Sequence, residues 1–437
     1  METLHCGAGR ADITPPVGTP MGGFANRASP CQGMLDPLFA RALYLSTQDA
    51  STFIITLDAL AISAERAQQL REIAATIASI ARRPTPQSHI QIACSHTHSG
   101  IDLAGLRMGN SALRTRIDTY FALVCDAVQA AVAQACECAS TATLSVGSTT
   151  CVIGRNRRLR PGHAAITDTE RAQGTNIDQT LTVLRFTHAA RDEVIATLFQ
   201  IACHPVCLGP ENVRASGDFV GLAAQRIEVH TSAPALFLNG AAGNITPLIG
   251  RGSSYDATRE LAHAVANTAL TMELHPEPAR LLCREPAVAQ LPLACHFEHA
   301  ADIDAQAKWL LAQTTEFPAW PQVVAGWQSQ MHAQLTAGQL PATIDIALNA
   351  ILIGSTRFLF IGAEVFSEYQ IWQQPGTRLV GYANGEVCYI PTAAALESGG
   401  YEVTASPVFY GLPCAPGAAA QPALLVALSA CMITCTI

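Results

Sequence analysis

Charge is scarce in this sequence. Only 14% of its 437 residues are Asp, Glu, Lys or Arg, 49% are hydrophobic, and the net charge is −8. A sparse, acidic balance argues against nucleic acid or an anionic membrane surface as the main partner. The first residues, Met1 to Cys6, have neither a basic stretch nor an apolar run, so no secretory signal is expected. The apolar run Pro422 to Ile437 is shorter than the roughly 20 residues of a membrane span. A packed terminal helix or strand is the expectation there, and no integral span. Internal repeats and a dividing linker are also missing, which points to one large domain over residues 1–437 with ample core. The 15 cysteines are scattered and odd in number, and Cys94, Cys125, Cys203 and Cys295 sit inside apolar runs. They read as buried thiols of a cytoplasmic, reducing compartment. The pairs Cys136-x-Cys138 and Cys431-x-x-x-Cys435 lack a matching partner pair and are expected to be structural.

What is present is an alternation of strand and helix patterns. Phe53–Leu57 reads as a buried strand, Ile62 to Arg82 as a helix stopped by Pro84 and Pro86, and Ile90–Cys94 as a strand. A second helix is expected from about Thr115 to Ala139. A hairpin follows over Thr180–Phe186 and Val194–Cys203, then a helix from Val220 and a strand over Pro234–Leu238. Helical patterns cover about Asp256 to Met272 and Ile303 to Leu335, and two strands joined at Gly354–Thr356 fill Ile344 to Gly362. This order predicts an α/β fold of layered, packed mixed β-sheets flanked by helices.

Chemistry-bearing residues recur where these strands end. After Ile90–Cys94 come His96 and His98, which share one side of an extended backbone. They serve either a hydrogen-bonded loop or a metal, and ligand-type residues at other strand ends decide between the two. The strand ending at Cys203 is followed by His204, and the one ending at Gly362 by Glu364. Together His96, His204 and Glu364 point to a zinc site. The small residues of Asn239–Pro247 let a backbone approach a ligand, without the spacing of a phosphate loop, and carry the hydroxyl of Thr246. Residues 155–160 hold four arginines, which suit a salt-bridged loop or a substrate oxygen. Residues 162–175 read as an exposed, mobile loop. Asp12, Asp58 and Asp218 are expected to brace loops.

Taken in order, Gly-x-Gly-x-Ala-Asp-Ile-Thr-Pro (7–15), His-Thr-His-Ser-Gly (96–100), Asn156-Arg157, Cys203-His204-Pro205, Gly243-Asn-Ile-Thr-Pro247, Gly362-x-Glu364 and Asn384-x-x-x-x-Tyr389 resemble the catalytic domain of the neutral/alkaline (non-lysosomal) ceramidase family. The likeness spans nearly the whole chain, and its strength lies in the order and spacing of motifs that are weak singly. It implies one Zn2+ per chain, held by His96, His204, Glu364 and Tyr389, with His98, Arg157 and Tyr401 around the substrate. Thr246 falls where the family's ceramidases carry a functional serine. The implied reaction is hydrolysis of a linear N-acyl amide, ceramide-like or other, by a metal-activated water, on a small-molecule or lipid-like substrate. The chain departs from the family at Asn244 and Thr246, where Asp and Ser are usual, and at Ile101-Asp102-Leu103, where Pro-Gly-Gly is usual. It is expected to be a short form without the family's C-terminal immunoglobulin-like domain. Two other readings stand beside this one: a zinc esterase, deacetylase or lactam-processing enzyme, and a catalytically inactive binding homologue.

Overall fold

A computed structural model describes residues 3–27, 29–105, 111–158, 177–312 and 319–432. The expected mobile loop at 162–175 lies outside them. Nine strands form one mixed sheet. Its order along the main path is Ala235–Asn239, Val194–Ile201, Thr180–His188, Ser140–Thr150, Leu4–Asp12, Phe39–Ser46, Ser51–Leu57 and Ile90–Cys94, with His275–Glu277 added beside Ser140–Thr150. A second sheet of five strands contains Thr343–Ile353, Thr356–Ile361 and Thr377–Val380.

Period-two alternation sorts the side chains of the large sheet into two cores. Ala40, Ala42, Tyr44, Ile55 and Ile92 face helices Ala64–Ile80, Ser111–Glu137, Asp218–Thr231 and Tyr255–Thr271. Leu43, Leu45, Ile54 and Ala93 face Ile351, Ile353, Phe358 and Phe360 of the smaller sheet. The far face of that second sheet is covered by helix Ala420–Cys431 through Leu424 and Leu428. The layers therefore run helix, sheet, sheet, helix, as the α/β expectation requires.

Helix Leu113–Glu137 is long and apolar enough to cross a membrane by length and composition. Here it lies on the sheet instead, with Val124, Val128, Ala131 and Val132 fully buried. The contact is backbone to backbone: a β-carbon at Gly7 or Gly9 would collide with the carbonyls of Ala135 and Ala131. The pattern from Ile303 to Leu335 resolves into two helices, Ala300–Ala312 and Trp320–Thr336, the second with proline in its first turn. Proline fits the opening turn of a helix and breaks its interior, so the single periodic stretch gives way to a new helix that starts just before Pro321.

One feature of the large sheet brings distant residues together. Its two edge strands, Ala235–Asn239 and Ile90–Cys94, curl toward each other until Asn239 Nδ2 donates to the Ser95 carbonyl at 3.1 Å. The segment Gly381–Asn384, leaving the second sheet, fills the remaining gap. It is bound to one edge by Gly381 N–H to Asn239 O (3.1 Å) and to the other by Cys94 N–H to Tyr382 O (3.0 Å) and Asn384 N–H to Ile92 O (2.8 Å). The histidines that follow the two edges thus meet at one seam, although 108 residues separate them (204 less 96).

Candidate metal centre

His96 turns out of the Ile90–Cys94 strand with φ of 66°, and Tyr382 and Asn384 facing it have φ of 57° and 61°. A left-handed backbone at a residue with a β-carbon costs about 1 kcal/mol or more and persists only where its surroundings enforce it. At His96 the enforcement is visible. Its N–H donates to Ala59 O at 3.0 Å, its ring stacks on Tyr382 with centroids 4.1 Å apart, and its Nδ1 lies 2.9 Å from Leu60 O. A carbonyl only accepts, so Nδ1 carries a hydrogen, and Nε2 is the nitrogen turned toward the neighbouring side chains. His204 is arranged the same way, with Nδ1 2.7 Å from Ala242 O.

The two Nε2 atoms converge on one carboxylate. His204 Nε2 is 3.0 Å from Oε2 of Glu364 and 3.3 Å from the Tyr389 hydroxyl. His96 Nε2 is 3.2 Å from the same Glu364 oxygen and 3.3 Å from His98 Nε2. Ring nitrogens of His96, His98 and His204 all lie within 4.8 Å of one another. His96, His204, Glu364 and Tyr389 are between 0% and 5% exposed, while His98 is half-buried. Glu364 and Tyr389 are neighbours by design of the chain: the two-residue strands Glu364–Val365 and Tyr389–Ile390 pair in parallel with these residues opposite each other. The structure therefore brings the four residues of the expected ligand set, and His98 with them, to one point.

The donor set fits a cation. In its neutral form His204 meets Glu364 acceptor to acceptor, a repulsive contact unless positive charge lies between them. Four ligands each about 2.0–2.1 Å from one zinc would stand roughly 3.3 Å apart, close to the separations found. Electrostatics agree. Burial alone would drive His96 toward the neutral form, but the carboxylates of Glu364 and Glu386 outweigh it and lift its pKa to about 10. Burial and then the charge of Arg157 push His204 down to about 4. His98 is held well below its usual range by burial and by the neighbouring imidazoles. The centre attracts one positive charge strongly and keeps the imidazole beside it neutral.

The remaining expected residues stand around this point at different distances. Arg157 donates from Nε to Glu402 (2.7 Å), and from Nη2 to Gly243 O (2.8 Å) and the Tyr389 hydroxyl (3.3 Å). Arg158 also pairs with Glu402, so the arginine cluster is in part a salt-bridged loop; Arg160 lies outside the described residues. The Tyr401 ring meets the edge of Tyr389 at 6.0 Å. Thr246 is buried on the short strand Ile245–Pro247, opposite Arg155. Among the described residues, no hydrogen bond links its hydroxyl to the cluster. Asn244 explains itself: its Nδ2 donates to Glu368 at 2.9 Å and its Oδ1 accepts the Ser367 N–H at 2.9 Å. An aspartate could not donate and would face Glu368 as a like charge. Asp58 pairs with Arg41, and Asp218 accepts the N–H groups of Phe219 and Leu208, so both brace loops as expected.

Sequence reasoning missed Glu386, Glu402 and Tyr410. Glu386 reaches within 3.5 Å of His96 Nδ1, and the Tyr410 hydroxyl stands within donating distance of both Glu364 and Glu386. None of the three ends a long apolar strand, so the rule that found the histidines could not find them.

Comparison with known proteins accords with this geometry. A family model described as neutral/alkaline non-lysosomal ceramidase, N-terminal, matches residues 4–262. That is more than half of the chain, and the chain belongs to this family. The matched region holds His96, His98, Arg157, His204 and Thr246, but not Glu364, Tyr389 or Tyr401. Among solved structures, the neutral ceramidase from Pseudomonas aeruginosa superposes with a TM-score of 0.69 at 18% identity, over 97% of this chain and 73% of that one. A structure described as ceramidase complexed with C2 gives 0.70 at 17% identity, over 100% and 77%. At these identities the likeness is one of fold. No curated protein matches.

Proposed function

We propose that this member of the neutral/alkaline non-lysosomal ceramidase family is a zinc-dependent hydrolase of linear N-acyl amides, with His96, His204, Glu364 and Tyr389 as the ligands. The observation that carries the reading is the convergence of His204 Nε2 (3.0 Å) and His96 Nε2 (3.2 Å) on the one Glu364 oxygen, with the Tyr389 hydroxyl 3.3 Å from His204 Nε2. A bound zinc ion would supply a water whose pKa falls from about 15.7 to roughly 7, together with polarisation of the substrate carbonyl.

The protein's own groups then have distinct tasks. Leu60 O and Ala242 O fix the tautomers of His96 and His204 so that both present Nε2. Arg157, anchored on Glu402, directs a hydrogen bond at the Tyr389 hydroxyl, and its charge opposes the burial and the Glu364 carboxylate that together hold this phenol's pKa well above its usual value. His98 stands half-buried beside the cluster, its Nε2 3.3 Å from Nε2 of His96, and is the candidate to pass a proton to the leaving amine. Tyr401, at the edge of Tyr389, meets the substrate oxygen, and Thr246 is a candidate substrate contact.

The test is metal content followed by an assay of N-acyl and O-acyl compounds side by side, with ceramides among them. We expect near-stoichiometric zinc, loss of activity on chelation, and preference for the amides. A purified chain without zinc affinity, or full activity and zinc content in His204→Ala, would refute the scheme.

A further inference from the structure

Glu364 has two carboxylate oxygens with different surroundings. Oε2 faces the imidazoles of His96 and His204. Oε1 is 2.6 Å from the Tyr410 hydroxyl, and the same hydroxyl is 2.7 Å from Oε1 of Glu386. The second oxygen of Glu386 lies 3.5 Å from His96 Nδ1. One phenol thereby touches the carboxylate of the proposed ligand set directly and one of its imidazoles through a single side chain.

Tyr410 is held from behind rather than by a strand. It closes the one-turn helix Ser406–Phe409, with its N–H on the carbonyls of Ser406 (3.2 Å) and Pro407 (3.1 Å). Gly411 follows with φ of 67°, a value that suits glycine. Leu412 is then fixed twice: its N–H donates to Pro407 O at 2.9 Å, and its carbonyl accepts Nε1 of Trp327 at 2.8 Å. Trp327 is 3% exposed on helix Trp320–Thr336, packed with Phe409 and Trp320. Helix Trp320–Thr336 is thus a buttress behind the segment that places the Tyr410 hydroxyl.

We propose that Tyr410 is a positioning residue for the metal centre: it occupies Oε1 of Glu364 so that the carboxylate offers the ion a single oxygen, Oε2. This rests on the zinc reading above. A free Oε1 would swing the carboxylate toward two-oxygen binding and crowd the position that a water needs. Partners of this kind change metal affinity by about 10–100-fold when removed.

The experiment compares the wild-type chain with Tyr410→Phe, both stripped of metal. Zinc dissociation constants are measured by competition with a chromophoric chelator, the absorption spectrum of the Co2+-loaded form is recorded, and the metal-free chains are melted. The proposal expects zinc affinity lower by about 10–100-fold, an altered Co2+ spectrum, and a metal-free melting temperature close to wild type. Equal affinities and superimposable Co2+ spectra would overturn it. So would a variant that melts much lower or misfolds while its folded fraction binds zinc as wild type does, because Tyr410 would then be a packing residue only. A wild-type chain that binds no zinc overturns the metal reading first, and this inference with it, so the two failures are told apart by the wild-type titration.

Discussion

His96 and His204 follow strands of five and eight residues whose register is set by ladders in a nine-stranded sheet, whereas Glu364 and Tyr389 sit on two-residue strands and Tyr410 ends a single helical turn. The proposed nitrogen ligands come from regular structure in the N-terminal region. The proposed oxygen ligands come from irregular segments in the C-terminal region, each steadied by a specific hydrogen bond. Tolerance to substitution should differ between the two regions. A ligand at the end of a long ladder is placed by many hydrogen bonds at once, and losing one matters little. A ligand on a short segment depends on one or two named partners. Substitutions that disturb the large sheet should therefore lower stability, and substitutions behind the oxygen ligands should lower metal affinity.

The sharpest separation comes from the ligands themselves. His204→Ala should reduce zinc affinity by more than the roughly 10–100-fold that an outer partner is worth, with hydrolysis of any N-acyl substrate falling alongside; paired zinc titration and turnover measurements check it. Next is the buried ion network of the N-terminal region, where Arg41 donates to Glu228 (2.7 Å) and Asp58 (2.8 Å), all three almost fully enclosed. Glu228→Gln leaves that guanidinium short of a counter-charge and should cost about 3–5 kcal/mol in denaturant unfolding. Its zinc affinity should stay at the wild-type value, and a parallel drop in affinity would break the comparison.

Asp36 gives a pH signature to the same region. Burial, with help from the charge of Asp58, lifts its carboxyl from 3.8 to about 6 against the hydrogen bonds from Ser216 and Gly217. Between about pH 4 and 6 the folded chain keeps a proton that the unfolded chain has lost. Stability should therefore fall as pH rises through this window, by at most about 3 kcal/mol. Asp36→Asn should flatten that slope, which urea unfolding across the window would show. The smallest effect is expected at the seam. Asn244→Asp replaces a donor to Glu368 by a like charge and should cost about 1–2 kcal/mol at neutral pH, recovering as the acids are protonated.

The legible part of the molecule was its regular part. Ile90–Cys94, the hairpin over 180–201 and the helices near 64–80 and 218–231 carry alternation or helical spacing in plain view, because burial on one face imposes it. His96, His204 and Glu364 were legible for the same reason: each follows an apolar strand. Tyr389 was reached only through family resemblance, since a tyrosine in Cys-Tyr-Ile-Pro looks like any core or turn residue. Tyr410 and Glu386 were not legible at all. Their role depends on the curl of the large sheet and on Gly381–Asn384 bridging its edges, and neither leaves a local pattern. The division into helices Ala300–Ala312 and Trp320–Thr336 was blurred by apolar periodicity that both of them carry.

The central claim is that residues from both regions enclose one cation. Calorimetric titration of zinc into the metal-free chain, repeated for His204→Ala and Glu364→Gln, tests it most directly. One ion per wild-type chain is expected, with a large loss of affinity in both variants, one from each region. Binding that is absent in wild type, or that survives both substitutions unchanged, would contradict it.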